Sequence, residues 1–277
     1  MYWQYFGLKE NPFGITPDPR YLFLSTPHSM AIEWMKMALE QREFGLIIGE
    51  VGSGKTVISR YIIDLVKKDE YKIAWIINPT LSVTQLLREI YSQLFETEAP
   101  KIKPAVVSAL HEGLVKLYLE KKYPIVIIDE AQSIPGSKVF EELRLLSNYQ
   151  TDDSNLLSII LLGQPELATK LKRKHYRAFL QRIRFTINLE ALNEDELENY
   201  LIHRLKVAGN NGGKIFEKEA CNYIHKLTKG YPRPANHLAS FAMMAAMSKE
   251  MKKVNKDIVK QAAQSILYFQ DQVNKEE

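Results

Sequence analysis

Residues 49 to 56 read GEVGSGKT, which spells Gly49, Glu50, Val51, Gly52, Ser53, Gly54, Lys55 and Thr56. They match the phosphate-binding loop pattern G-x-x-x-x-G-K-[ST]. The apolar run 44–48 predicts a strand before this loop, and residues 55–66 predict an amphipathic helix after it. Glycines let the loop turn its N–H groups towards phosphate oxygens, and the helix N-terminus adds its positive end. All eight residues are therefore expected to bind a nucleoside triphosphate, with Lys55 on the β- and γ-phosphates and Thr56 facing Mg²⁺.

A second motif, residues 125–130, places two carboxylates directly after an apolar run. Its first four residues are isoleucine or valine, which suits a strand buried on both faces of a parallel sheet. Asp129 and Glu130 then fall at the carboxyl end of the strand, where open α/β sheets bind their ligands. We expect Asp129 to hold Mg²⁺ and Glu130 to orient the attacking water. The paired acids favour hydrolysis over phosphoryl transfer to a small acceptor.

Composition sets wider limits. The chain has 277 residues, 45% of them apolar, and a formal net charge of +4. This mildly basic balance permits an acidic partner without requiring one. One cysteine, Cys221, excludes an internal disulfide and fits a reducing compartment. Since no segment approaches ~18 uninterrupted apolar residues, we expect no membrane span and a cytoplasmic location.

The order of predicted elements divides the chain into three parts. An aromatic and proline-rich arm, 1–26, is expected to pack near the nucleotide. Strands alternate with helices in a core at 27–190, which implies parallel pairing. Only helical patterns follow in a small domain at 191–277. Strands are predicted at 44–48, 72–77, 125–128, 156–162 and 183–189.

These motifs together resemble the AAA+ ATPases, and within them the ExeA/GspA-type ATPases, which are related to ATPase subunits encoded by transposable elements. The resemblance covers nearly the whole chain. It is carried by FGLKENPFGITPDPRYLFLS (6–25), His28, GEVGSGKT, IIDEAQ (127–132) and LLGQPEL (161–167). It implies an α/β fold, namely a P-loop NTPase (AAA+) parallel-sheet core with a C-terminal all-α lid domain. It also implies ATP and Mg²⁺ as cofactors and ATP hydrolysis as the activity.

The same resemblance assigns roles to further residues. Gln164 matches sensor 1, which contacts the γ-phosphate or the attacking water; a turn-capping amide is the alternative. Arg233, in the GYPRP segment 230–234, matches sensor 2, the lid arginine that leans over the phosphates. Its alternative is a surface arginine at a helix start. Pro12 and Phe13 are candidates for the adenine pocket, or equally for core packing.

An arginine finger is implied just before the last core strand. Arg182 is preferred and Arg184 is second, because the two alternate across the strand start and only one should face a neighbour. An arginine supplied by a neighbouring subunit can raise the rate ~10³- to 10⁵-fold. The resemblance therefore implies a homo-oligomer, as a ring or a helical filament, that is active only when assembled.

The biological role has two main alternatives. Secretion members of the family carry a membrane span and a periplasmic region after the ATPase, whereas this sequence stops after the lid. We therefore first expect a transposition-type regulator that acts on double-stranded DNA with a transposase. A cationic run could contact DNA phosphates; it comprises Lys170, Lys172, Arg173, Lys174 and Arg177. The run could equally be a solvated face or a subunit contact. The alternative role is a secretion-pathway ATPase acting on a membrane or cell-wall partner protein. A nucleotide-gated scaffold is a third class, which Glu130 disfavours.

Overall fold

The computed structural model describes residues 1–14, 16, 18–66, 70–152 and 154–269. Its strands are β1 (Phe44–Gly49), β2 (Tyr71–Ile76), β3 (Tyr123–Ile128), β4 (Ser158–Gly163) and β5 (Ile183–Leu189). Its helices are α1 (Tyr2–Tyr5), α2 (Thr26–Glu40), α3 (Lys55–Leu65), α4 (Val83–Phe95), α5 (Lys103–Leu119), α6 (Gly136–Leu146), α7 (Pro165–Leu171), α8 (Arg177–Leu180), α9 (Glu194–Val207), α10 (Lys218–Thr228), α11 (Pro232–Ser248) and α12 (Lys256–Gln264). The end of the predicted lid, 270–277, lies outside the described residues.

The five strands form one sheet in the order β2-β3-β4-β1-β5, and every neighbouring pair is parallel. This confirms the predicted α/β fold with a parallel-sheet core. Strand β4 lies between β1 and β3, although it follows both in the sequence. The carboxyl ends of these three strands are therefore neighbours at one edge of the sheet.

Alternating side chains of the strands cover the two faces of the sheet with different helices. Ala74 and Ile76 of β2 belong to one buried cluster with apolar residues of α4 to α8. On the other face, Ile47 of β1 and Ile160 of β4 lie beside Ala38 of α2. The central strands β1, β3 and β4 are thus buried on both sides, as their nearly continuous apolar sequences predict.

One residue on the free edge of β2 is paired by a side chain. The amide of Gln93, from α4, accepts a hydrogen bond from Trp75 N–H at 2.6 Å and donates to the Trp75 carbonyl at 3.3 Å. It pairs with the strand as a neighbouring strand would. Exposed edges invite pairing with other chains, so this contact protects β2.

The chain forms two compact units. We call Met1–Ser25, Val51–Val57 and Glu190–Glu277 the helical unit, and Thr26–Glu50 with Ile58–Leu189 the sheet unit. The phosphate-binding loop sequence is shared, because Gly49 and Glu50 belong to the sheet unit and the rest to the helical unit. The division into an arm at 1–26, a core at 27–190 and a lid at 191–277 stays a prediction.

The longest helices are α5 and α11, with 17 residues each. In the described ranges, no helix has both the length and the apolar character needed to cross a membrane.

Within the helical unit, the N-terminal segment is fixed to α9 by a buried arginine. Arg204 is 7% exposed, and its guanidinium donates to the carbonyl of Pro12 and, at 3.1 Å, to the hydroxyl of Tyr200. The same group lies 4.5 Å from the ring centre of Tyr21. Cation–π contacts of this kind are strongest where water is excluded.

We predict that Arg204→Ala lowers the free energy of unfolding by about 3 kcal/mol, since it removes buried packing and leaves buried acceptors without a donor. Denaturant unfolding followed by circular dichroism measures the change. Lys206→Ala is the control, because Lys206 is exposed on the same helix and should change stability by less than about 0.5 kcal/mol. Equal effects of the two variants would contradict the structural role of Arg204.

Candidate nucleotide site

The loop between β1 and α3 has the backbone that its glycines allow. Gly52 and Gly54 have φ angles of +82° and +102°, in the left-handed region that side chains disfavour. Lys55 begins α3 and is 5% exposed, and the neighbouring Ser53 is 1% exposed. The amide of Val57 donates to the carbonyl of Gly54 at 3.0 Å, which starts the helix. The loop thus has the strand–loop–helix context that a phosphate site requires.

The N-terminus of α11 contacts this loop inside the helical unit. The helix starts Pro232-Arg233-Pro234, and no side chain caps it. Prolines have no N–H, so Arg233 has the only backbone donor in the first three positions of the helix. That N–H donates to the carbonyl of Gly52 at 3.3 Å. A backbone hydrogen bond therefore joins the phosphate loop to the helix that carries the predicted sensor 2 arginine.

The close approach of Arg233 to the loop also restricts which residue can occupy position 52. A Cβ added at Gly52 would lie 2.4 Å from the Cβ of Arg233, a distance that real side chains do not adopt. The guanidinium of Arg233 is exposed, and among the described residues no ion pair or side-chain hydrogen bond engages it. The side chain is thus positioned beside the loop with its charge available for an anionic ligand.

The two adenine-pocket candidates belong to the packing of the helical unit. Phe13 is 3% exposed and meets Phe216 edge-to-face, with ring centres 6.0 Å apart. The carbonyl of Pro12 accepts the hydrogen bond from Arg204. These contacts fit the core-packing alternative, and contact with adenine stays a prediction for both residues.

In the sheet unit, the ends of β3 and β4 bring two predicted residues together. Asp129 is 4% exposed, and its Oδ1 accepts a hydrogen bond from the backbone N–H of Glu130 at 2.9 Å. Glu130 has a left-handed backbone, with φ of +49° and ψ of +39°. The side chain of Gln164 donates to Oε2 of Glu130 at 3.0 Å. The predicted sensor 1 amide therefore contacts the predicted water-orienting carboxylate.

Sequence reasoning missed one member of this group. Gln132 donates through Nε2 to the same oxygen of Glu130. Its Oε1 accepts a hydrogen bond from the backbone N–H of Gln164 at 3.1 Å. The motif IIDEAQ contained this residue, but a pattern along one segment does not show contact with another strand.

The arginine-finger candidates have different neighbours. Arg182 donates to the side-chain carbonyl of Asn148 at 3.2 Å, whereas Arg184 lies 3.7 Å from a carboxylate oxygen of Glu43. Both arginines are exposed. A neutral amide competes less with a phosphate than a carboxylate does, so the contacts favour Arg182. Its role as a finger stays a prediction.

The cationic run divides into two groups. The ammonium of Lys170 donates to the carbonyls of Gln132 and Ile134, at 3.2 and 2.6 Å, and lies 5.4 Å from the ring centre of Phe140. Burial, with a smaller contribution from Arg173, lowers the pKa of Lys170. The remaining members are exposed, and in the described part of the chain no carboxylate pairs with them; they are Lys172, Arg173, Lys174 and Arg177. Only this second group presents free charge to an acidic partner.

Comparison with known proteins identifies the type of domain. A family model described as AAA domain matches residues 38–171. The General secretion pathway protein A of Aeromonas hydrophila is 36% identical over 278 residues, which are 98% of this chain and 50% of the relative. This chain contains an AAA domain, and over nearly its whole length it is similar to an ATPase of the ExeA/GspA type. The resemblance predicted from the motifs is thereby confirmed.

Two further proteins are more distant. An uncharacterized HTH-type transcriptional regulator of Methanocaldococcus jannaschii is 27% identical over 148 residues, covering 52% of this chain and 36% of the relative. The Aeropyrum pernix ORC2 protein, solved in ADPNP–ADP complexes, is 20% identical with a TM-score of 0.68, covering 92% of this chain and 71% of that one. This likeness shows that the AAA domain has an ORC-like fold.

The comparisons favour the second of the two predicted roles. This chain spans half the length of the secretion protein that it matches. The point where the present sequence ends therefore carries no information about secretion, which removes the reason for preferring transposition. No relative or structure described above supports a transposase partner.

The residues present suit a magnesium nucleotide. Mg²⁺ is usually held by one or two carboxylates together with substrate phosphates and water. Asp129 is a single buried carboxylate at a strand end, which fits that need. The roles predicted for Thr56 and Asp129 as metal ligands remain predictions.

We predict that Gly52→Ala lowers the free energy of unfolding by about 2 kcal/mol more than Gly7→Ala, because it adds a steric clash to the backbone strain. Gly7 is the matched control, since it has a φ of +75° and no atom within 4 Å of an added Cβ. Gly52→Ala should also weaken nucleotide binding in a fluorescent-nucleotide titration. Similar stability and affinity in both variants would contradict the Gly52–Arg233 contact.

Proposed function

We propose that this AAA protein binds ATP with Mg²⁺ and hydrolyses it in a secretion pathway, acting on a membrane or cell-wall partner protein. The observation that carries the ATPase proposal is the carboxylate group after β3. Glu130 is held by two glutamine amides directly after the buried Asp129. A protein that only bound nucleotide would need no carboxylate positioned in this way.

Each residue of the proposed site has a distinct task. The N–H groups of residues 49–56 and the ammonium of Lys55 bind the phosphate oxygens. The hydroxyl of Thr56 and the carboxylate of Asp129 hold Mg²⁺, whose charge stabilises the leaving phosphate oxygens when it is bound. Arg233 adds a guanidinium that can bridge two phosphate oxygens.

Hydrolysis requires a base beside the attacking water. Glu130 Oε2 accepts both amide hydrogen bonds, so Oε1 remains to accept a proton from water. The water oxygen then attacks the γ-phosphorus in line with the bond to the β–γ bridging oxygen; that bond breaks, and its electron pair leaves with the β-phosphate of ADP. Gln164 holds the carboxylate of Glu130 at one side and can also reach the water or the γ-phosphate.

Assembly supplies the remaining charge in this proposal. Arg182 is exposed and, among the described residues, its side chain bonds a neutral amide, so it can leave Asn148 and reach the nucleotide of a neighbouring copy. The proposed active form is therefore a homo-oligomer, a ring or a helical filament. Its turnover per chain should rise with protein concentration, because each active centre needs a second copy.

The secretion role rests on the Aeromonas hydrophila relative, which is 36% identical over 98% of this chain. This chain covers 50% of that relative, and we propose that it shares the relative's secretion pathway. Since ATP is available in the cytoplasm, we propose that hydrolysis takes place there.

Double-stranded DNA is the second candidate partner, with a transposase as its associated protein. It is favoured by four exposed cations without carboxylate partners among the described residues, Lys172, Arg173, Lys174 and Arg177. Such a group can bind a chain of phosphates, with an affinity that falls as salt rises.

We predict that Glu130→Gln leaves ATP affinity within about twofold but lowers the turnover rate by at least about 100-fold, because the water loses its proton acceptor. Phosphate release measured over a range of protein concentrations gives the rate. Glu166→Gln serves as the control, since Glu166 is exposed at the start of α7. Normal turnover by Glu130→Gln would mean that another group activates the water.

The two candidate partners can be separated by turnover measured with double-stranded DNA, peptidoglycan or membrane vesicles. We predict stimulation by the cell-wall or membrane sample and none by DNA. If DNA stimulates instead, exchanging Lys172, Arg173 and Lys174 for Glu should abolish the effect and reduce the salt slope by roughly 3. The matched control exchanges three exposed lysines elsewhere, namely Lys101, Lys116 and Lys121.

A further inference from the structure

The side chain of Gln132 is fixed at both ends. Its Oε1 accepts from the backbone N–H of Gln164 at 3.1 Å. A backbone N–H can only donate, so the oxygen of the Gln132 amide must face it and the NH₂ group must face the other way. That NH₂ group donates to Oε2 of Glu130. The chemistry of the two neighbours thus determines the orientation of the amide without ambiguity.

The carboxylate of Glu130 is held at one oxygen. In the described part of the chain, the side chains of Gln132 and Gln164 both donate to Oε2. Two donors on one oxygen restrict rotation about the last side-chain bond and leave Oε1 for another partner. A base that must accept a proton from a water in one direction needs such an arrangement.

The backbone around Gln132 is built to support this contact. Glu130 has a φ of +49°, which costs about 1 kcal/mol or more for a residue with a side chain. The ammonium of Lys170 bonds the carbonyls of Gln132 and Ile134. Strain at one residue that its neighbours hold in place is typical of functional sites.

Strand β4 also makes room for the glutamine. A Cβ added at Gly163 would lie 3.3 Å from Oε1 of Gln132 and 2.4 Å from Cδ2 of Leu167. A side chain at Gly163 would therefore press on the amide from the last residue of the strand that Gln164 follows. The glycine allows Gln132 to cross from the end of β3 to the end of β4.

We propose that Gln132 is a positioning residue for ATP hydrolysis, which holds Glu130 in the rotamer that presents Oε1 to the attacking water. This inference rests on the proposed ATPase function. Gln132 itself contacts neither the nucleotide nor the water; it acts through Glu130. Its loss should lower kcat and leave nucleotide binding unchanged.

Gln132→Leu tests the contact, because leucine has a similar size and no hydrogen-bonding group. We expect kcat to fall about 100-fold, as a misplaced base does, with KM and the affinity for a non-hydrolysable ATP analogue unchanged. Gln41→Leu, at an exposed glutamine, should have no effect. In the Glu130→Gln background, Gln132→Leu should cause no further loss, since residues that act as a unit are not additive.

Gln132→Glu supplies a readout that a purely structural residue would not affect. When protonated, the new carboxyl can donate to Glu130 and accept from the N–H of Gln164, as the amide does. When ionised, it repels Glu130. We expect its kcat, relative to wild type, to rise as pH falls below about 6, whereas the ratio for Gln132→Leu stays constant.

Three outcomes would overturn the inference. They are a kcat of Gln132→Leu within about twofold of wild type, a rise in KM that accounts for the whole loss, and a pH-independent ratio for Gln132→Glu. In each of these cases, the proposed function would still hold if the wild-type protein hydrolyses ATP and Glu130→Gln abolishes that hydrolysis. Wild-type protein that hydrolyses no ATP at any concentration would overturn both.

Discussion

The pairing of β4 between β1 and β3 is the constraint on which the candidate site depends. Each of these contacts is a parallel ladder, with Ile159 of β4 opposite Phe44 on one side and Val126 on the other. Parallel ladders end at the same edge, so the residues after β3 and β4 meet there. A shift of β4 by one residue would exchange the side chains that pack on its two buried faces, and it would also move Gln164 away from Glu130. The apolar core and the polar group therefore fix the same register.

A second constraint is the number of backbone donors at the start of α11. Helix N-termini normally expose several N–H groups that any acceptor can satisfy. Here two prolines remove two of them, so the donor of Arg233 is left and bonds the carbonyl of Gly52. The sequence Pro-Arg-Pro thus leaves one backbone donor where most helices have several, and that donor makes one directed contact. This contact holds the backbone of Arg233, whereas the side chain of Arg233 stays exposed. The backbone of the residue is therefore used for positioning, and its guanidinium remains for ligand binding.

Much of this could be predicted from the sequence because the signals are local. The phosphate loop, its flanking elements and the acids after β3 lie within short segments with a known pattern, and all five predicted strands are present. Helix starts depend on local caps as well as on periodicity. A capping box between Ser82 and Gln85 starts α4 at Val83, and Pro165 stands at the first position of α7. Gln132 could not be identified, since its importance arises from a contact with residue 164, across two strands. The order of strands in the sheet creates that contact, and no local pattern encodes it.

The choice of glutamine at 132 and 164 follows from what each position must do. A lysine or arginine at either position would bond Glu130 more strongly, but its charge would hold the carboxylate as an ion pair and compete with the proton of water. An amide donates without adding charge, and it can accept a backbone N–H at its other end. Gln132 uses both properties at once.

Lys170, the one cation nearby with a described contact to this turn, bonds main-chain carbonyls instead of the carboxylate. It steadies the backbone and leaves Glu130 without a salt bridge in the described part of the chain. A ligand at the exposed cations after α7 would act on the helix that carries Lys170 and follows Gln164 directly. Helix α7 thus lies between the exposed cations that follow it and the turn that carries the proposed water-activating carboxylate.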